Sequence, residues 1–175
     1  GTVDAASVPA EVVEDIRAAG FTVITDHPNW NAKLTINHQK EPFSAREFRQ
    51  ALAYAIDRQA LVDVVLRGQG VAGSTGLMPP TSVWYNPDTP QFEYNPDKAR
   101  ELLEGLGYTL EGGYYVKDGT PLQVSLIAAA DYKDLGNFIA AALEGIGIDM
   151  DFQTLESRTV DSRVEAWDFD LSIYG

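Results

Sequence analysis

Residues 122–174 read LQVSLIAAADYKDLGNFIAAALEGIGIDMDFQTLESRTVDSRVEAWDFDLSIY. Leu122 to Ile127 alternates apolar and polar side chains as a strand does. Leu135, Phe138, Ile139, Ala142, Leu143 and Ile146 then recur at the spacing of one helix face, and Gly147 closes the run. Ile148 to Leu155 reads as a second strand, Arg158 to Ala166 as a helix, and Phe169 to Tyr174 as a third strand. Strands and helices alternating in so short a space predict an α/β domain with helices on both sheet faces.

Upstream, Asn95-Pro96-Asp97 is a helix start: a capping Asn, Pro at the first helical position and an acid in the first turn. Ala99, Leu102, Leu103 and Leu106 form the face of that helix, and Gly107 ends it. Its ending, Leu103-Glu104-Gly105-Leu106-Gly107, matches Leu143-Glu144-Gly145-Ile146-Gly147. We read this as one helix-stop device used twice, since two occurrences do not make a repeat protein. Tyr108 to Pro121 reads as a Gly-rich hairpin. Ser44 and Glu47 have capping-box spacing before the stripe Phe48, Ala51, Leu52, Ala55 and Ile56. Asp57 caps a continuation carrying Leu61, Val64 and Val65, stopped by Gly68 and Gly70. Pro9 opens a helix through Ala19, Phe21 to Thr25 reads as a short strand, and Leu34 to Ile36 as another.

Residues 68–95 hold no sustained period. They contain Pro79, Pro80, Pro87, Pro90 and four glycines. A connection this long is uncommon inside a compact domain and is often functional. Met78, Trp84, Tyr85 and Phe92 within it are expected to pack on something.

The chain has 175 residues, 45% apolar and 22% charged, which is globular composition rather than disorder. That length suits one domain over residues 1–175 with a real core. Thirteen basic against 26 acidic residues give a net charge of −13. This argues against nucleic acid and against an anionic membrane surface as partners, since both need a basic patch. With no cysteine there is no disulfide, thiolate catalysis or Cys-ligated metal. No stretch approaches the apolar length of a bilayer span. Gly1 to Asp4 has neither the basic start nor the apolar core of a signal peptide.

Motifs for chemistry are sparse. His27 and His38 have no metal-ligand spacing and read as loop or surface residues; no metal or cofactor is expected. There is no G-x-S-x-G elbow. Gly68, Gly70 and Gly73 have phosphate-loop spacing but follow a helix instead of a strand. Asp149 with Asp151, and Asp168 with Asp170, each lie two apart on an expected strand, hence on one face. They could serve as paired acids for hydrolysis, but a solvated sheet face is the plainer reading. No neighbour in the sequence is seen to raise one of their pKa values, as acid/base work requires.

The aromatic residues are more suggestive. Tyr132 falls at a helix start and Tyr174 at the end of the last strand. Ligands of α/β sheets bind outside the carboxyl ends of strands, and aromatic rings with a polar tip suit a recognition cleft. Tyr132, with Asp131 beside it, Tyr174, Trp84 and Tyr85 are therefore the candidate ligand residues. The alternative is that each packs on its own loop.

The order of motifs resembles a known family. It is carried by Leu34-Thr35-Ile36-Asn37, Pro42-Phe43-Ser44, the run Arg49 to Arg58 (RQALAYAIDR), Gly68-Gln69-Gly70 and Pro79-Pro80. Trp84-Tyr85-Asn86-Pro87, Asn95 to Arg100, Gly145 to Ile148 and Asp168 to Leu171 follow. Together they are similar to the family 5 extracellular solute-binding proteins of ABC importers, the peptide, nickel and oligosaccharide group. The resemblance implies one lobe of a type II periplasmic-binding-protein-like fold, a mixed sheet with helices on both faces. It also implies that this chain is most of the second lobe, its partner being the missing first lobe. The expected function is non-enzymatic capture of a solute, first an oligopeptide, between two lobes outside the cytoplasmic membrane, in a periplasm or at the cell surface. The captured solute would be delivered to the importer's permease subunits.

In dipeptide-type members a Tyr before the long helix faces the ligand, and Tyr132 matches it. An Arg two residues earlier pairs with the peptide carboxylate in those members; here that position is Ala130, which points away from dipeptides to longer peptides or another solute. The same fold binding nickel chelate, opine or oligosaccharide is the alternative. From other classes come an acid-pair hydrolase using Asp168 and Asp170, and a module that docks a membrane partner.

Overall fold

A computed structural model describes residues 4–24 and 31–174. After a 3₁₀ turn at Ala10–Val12 the elements run α1 (Val13–Ala18), β1 (Lys33–Ile36), α2 (Arg46–Ala55), α3 (Arg58–Val65) and α4 (Pro96–Gly105). Next come β2 (Thr109–Glu111), β3 (Tyr114–Lys117), β4 (Thr120–Pro121), β5 (Gln123–Ala129) and a 3₁₀ turn at Ala130–Tyr132. The chain continues through α5 (Lys133–Glu144), β6 (Asp149–Leu155), α6 (Ser157–Glu165) and β7 (Leu171–Tyr174).

The main sheet is mixed, in the order β1-β7-β5-β6. β5 pairs parallel with β6 and with β7, whereas β1 pairs antiparallel with β7. Alternation along β5 sorts its side chains between two layers. Val124, Leu126 and Ala128 enter the main core with Phe48 and Leu52 of α2, Leu103 of α4, and Ile139 and Leu143 of α5. Ile127 points the other way, onto Val160 of α6 and Phe169. Helices therefore cover both faces, as the alternating pattern predicts.

The caps show why the helices start where they do. The Asn95 side chain accepts from Lys98 N at 2.9 Å, and Asp57 accepts from Gln59 N and Ala60 N at 3.1 and 2.9 Å. Ser44 does not cap. Its hydroxyl donates to Glu41 instead, Ala45 takes the cap position, and Arg49 donates to the carbonyls of Phe43 and Ser44 at 2.8 and 2.7 Å. The hairpin expected over Tyr108 to Pro121 forms as the three-stranded meander β2-β3-β4.

The repeated helix stop has a structural reason. Gly107 and Gly147 both adopt left-handed φ, +90° and +102°. At Gly147 a Cβ would also stand 2.8 Å from Leu110 Cδ1 and 3.3 Å from the Tyr115 ring.

At the amino end the helical stretch expected from Pro9 to Ala19 forms as a 3₁₀ turn followed by the short α1, of which Val13 is buried; the strand expected next does not form. Phe21 to Ile24 is no strand: Phe21 and Ile24 are 69% and 87% exposed, and among the described residues no strand supplies a ladder there. Thr25 and His27 lie outside the described residues.

Candidate functional site

Because β5, β6 and β7 run parallel, Ala129, Leu155 and Tyr174 finish at one end of the sheet, and the antiparallel β1 brings Lys33 opposite Tyr174. Two helices begin at this end. The Ala130–Tyr132 turn leads from β5 into α5, and Glu156 leads from β6 into α6. Neither helix has a side-chain cap; the 3₁₀ turn before α5 already takes its first N–H, since Lys133 N donates to the Ala130 carbonyl, and in α6 Thr159 N and Val160 N donate to the Glu156 carbonyl.

Three of the five candidate ligand residues lie at this end of the sheet. Tyr132 is half-buried against the main core, which fixes its ring; Asp131 beside it is exposed; Tyr174 is 45% exposed at the end of β7. A tyrosine ring part-buried and part-exposed at the end of a sheet suits a recognition surface. Beside the first turns of α5, an open depression of about 370 Å³ is lined by Glu11, Val64, Val65, Arg67, Asp134, Asn137 and Phe138. The sequence offered no signal for it, because its walls come from three separate stretches. Arg67 follows the end of α3 in a left-handed conformation, φ 49°.

Trp84 and Tyr85 are not brought to this group by any ring contact or hydrogen bond among the described residues. Their segment is pinned to α2 and α3 instead. Phe92 meets Tyr54 edge to face at 5.2 Å, Arg58 donates to the Phe92 carbonyl at 2.6 Å, and Asn95 N donates to the Tyr54 carbonyl at 2.9 Å. Phe92 therefore packs as expected. Trp84 does not: it is 81% exposed and Val83 is 90% exposed. A second open depression, of about 320 Å³, lies between this segment and α2, lined by Arg46, Arg49, Gln50, Thr75, Thr89, Pro90 and Phe92.

The paired acids part company. Asp168 and Asp170 precede β7 rather than sharing its face. Asp170 accepts from Lys40 Nζ at 2.6 Å, Ser125 Oγ at 2.8 Å and Ser125 N at 3.0 Å. Burial raises its pKa, but these bonds outweigh that and hold the carboxyl below the usual range. Asp168 pairs with Arg163 at 3.1 Å. On β6, Asp149 accepts from the Gln123 amide at 3.2 Å and Asp151 from the Gln153 amide at 2.6 Å. A carboxyl held anionic in this way is a structural staple, since a general acid needs its pKa raised. Asn37, near the same place, donates to the Trp167 and Phe169 carbonyls at 3.0 and 2.9 Å and so holds the turn into β7.

Comparison with known proteins agrees with this architecture. A family model described as "Bacterial extracellular solute-binding proteins, family 5 Middle" matches residues 1–175. The oligopeptide-binding protein AppA of Bacillus subtilis is 30% identical over 163 residues, 87% of this chain and 30% of that protein. The nickel-binding periplasmic protein of Escherichia coli is 31% identical over 135 residues, 74% of this chain and 26% of that protein. The solved structure of AppA from Bacillus subtilis, in complex with a nonapeptide, superposes with a TM-score of 0.81 at 27% identity, covering 95% of this chain and 35% of that one. The chain thus spans about a third of the length of these relatives. A mixed sheet with helices on both faces, and a family match from end to end, lead to one conclusion: this chain belongs to the bacterial extracellular solute-binding proteins, family 5.

Proposed function

We propose that this chain is one lobe, the second, of a two-lobed extracytoplasmic protein that captures oligopeptides and delivers them to the permease subunits of an ABC importer. The observation that carries the reading is the end of the sheet where Asp131, Tyr132 and Tyr174 gather beside two uncapped helix starts. The start of α6 suits the carboxylate and carbonyl groups of a peptide, and part-buried tyrosines suit its side chains and backbone. Two relatives support a peptide solute by name, though of different lengths: the AppA oligopeptide-binding protein and a di/tripeptide-binding protein of Pseudomonas aeruginosa, 31% identical over 173 residues.

Ala130 opens the turn without a guanidinium, so the reading favours longer peptides over dipeptides. Closure of the two lobes over the solute is the step the permease would sense. No reaction is required of the protein, and the staple role of Asp170 removes the strongest reason to look for one. Among the described residues no helix is long and apolar enough to cross a membrane.

The test is thermal unfolding of the full-length protein against pools of tri- to nonapeptides, oligosaccharides and nickel. Saturation at 100 times the dissociation constant stabilises a protein by about 2.7 kcal/mol. A rise in Tm with peptides, lost in Tyr132→Ala, is the expected result. A rise with sugars or nickel alone would overturn the peptide assignment.

A further inference from the structure

Gly136 is the fourth residue of α5 and is buried against the sheet. A Cβ built on it would lie 2.2 Å from Cζ and 2.4 Å from Cε2 of Phe152 on β6. Its φ is not left-handed, so glycine is there for room rather than for conformation. Glycine is among the poorest helix formers, and this one is accepted within the helix that begins at the proposed site.

Tyr132 closes the 3₁₀ turn and takes the cap position of α5, φ −103°, four residues before Gly136. Tyr132, Leu135 and Phe152 all pack against the main core. The Phe152 ring therefore occupies the space under the start of α5, with the core on one side and the open edge of β6 on the other. A side chain at position 136 has two ways to fit: the ring swings outward, or the helix start rises.

We propose that the Gly136–Phe152 contact sets how low the Asp131–Tyr132 turn sits over the sheet, and so the depth of the solute site. Gly136 is a positioning residue; it touches no solute. This rests on the reading that Tyr132 faces the solute.

The experiment compares Gly136→Ala, the double variant Gly136→Ala with Phe152→Leu, and Tyr132→Ala, in the full-length protein. A crystal structure of Gly136→Ala reports the position of Tyr132 against β5 and β6. Calorimetric titration with a synthetic tripeptide and a synthetic nonapeptide reports affinity. The expected result is a raised turn and affinity about tenfold weaker, as overpacking strain carried into the bound state would give. The double variant, with the ring removed, should recover both position and affinity. An unmoved turn with a swung ring overturns the proposal, as does a lower Tm with unchanged affinity, which is what a merely structural glycine gives. If Tyr132→Ala binds like the parent, or neither peptide binds, the peptide reading of the turn fails separately. The crystal structure then still decides whether Gly136 positions the turn.

Discussion

The stretch from β5 to β7 and the connection over residues 68–95 contrast sharply. In the first, nearly every apolar side chain finds the core: Leu126, Ile127, Leu143, Ile148 and Leu171 are fully buried. In the second, Val83 and Trp84 stand almost entirely in solvent, while Phe92 docks on Tyr54 of α2. The difference lies in periodicity. A strand or helix repeats its apolar face until it must meet another element. The connection repeats nothing, and it is held by a few bonds such as Thr75 Oγ1 to the Pro90 carbonyl at 2.5 Å. Hydrophobic content alone does not determine burial; the spacing of that content does.

The contrast can be broken by substitution. Leu126→Ala opens a cavity between α5 and the sheet and should cost about 2–5 kcal/mol in urea unfolding, the range for buried leucines. A loss under 1 kcal/mol would mean that the periodic half is looser than its burial implies. Next in size, Gly147→Ala combines left-handed φ with a Cβ 2.8 Å from Leu110 Cδ1, and should cost about 1–3 kcal/mol by the same measurement.

Asp170→Asn weakens the staple between β5 and the approach to β7. Its expected cost at pH 7 is about 1–2 kcal/mol, mostly from the Ser125 bonds, because Lys40 is half exposed and screened. The native carboxyl titrates below its ordinary value of 3.8. Its contribution is therefore whole above that value and disappears as the pH falls through the lowered native one. The stability gap between parent and variant should close in acid, and a gap that widens in acid would refute the assignment. Smallest of all, Trp84→Ala should change stability by no more than about 0.5 kcal/mol, as exposed positions do. A larger loss would show that the connection contributes to the fold after all.

Much of the fold was legible because local signals and packing agree. Asn95 and Asp57 cap the helices they precede. Ser44 was misread because the helix starts one residue later, with Ala45 at the cap position, and spacing alone cannot reveal that. The strand expected from Phe21 had apolar residues but no ladder to join. At the candidate site, Tyr132 and Tyr174 were legible through a rule about strand ends. Arg67 and Glu11 were not, since only the fold brings them to α5. Gly136 looked like a weak point in a helix, and its meaning depends on a ring in the following strand.

The antiparallel edge has a consequence for how the molecule comes to be made. Leu34 pairs with Ile173, and Thr35 with Ser172, so an early strand waits for the last one described. On the ribosome, β1 has no partner until nearly everything between them has emerged. Closing so long a loop is entropically late, and topologies rich in such distant pairings fold slowly. Leu34 and Ile36 stay uncovered through that interval. Amide exchange during refolding should find β1 the last of the sheet to gain protection.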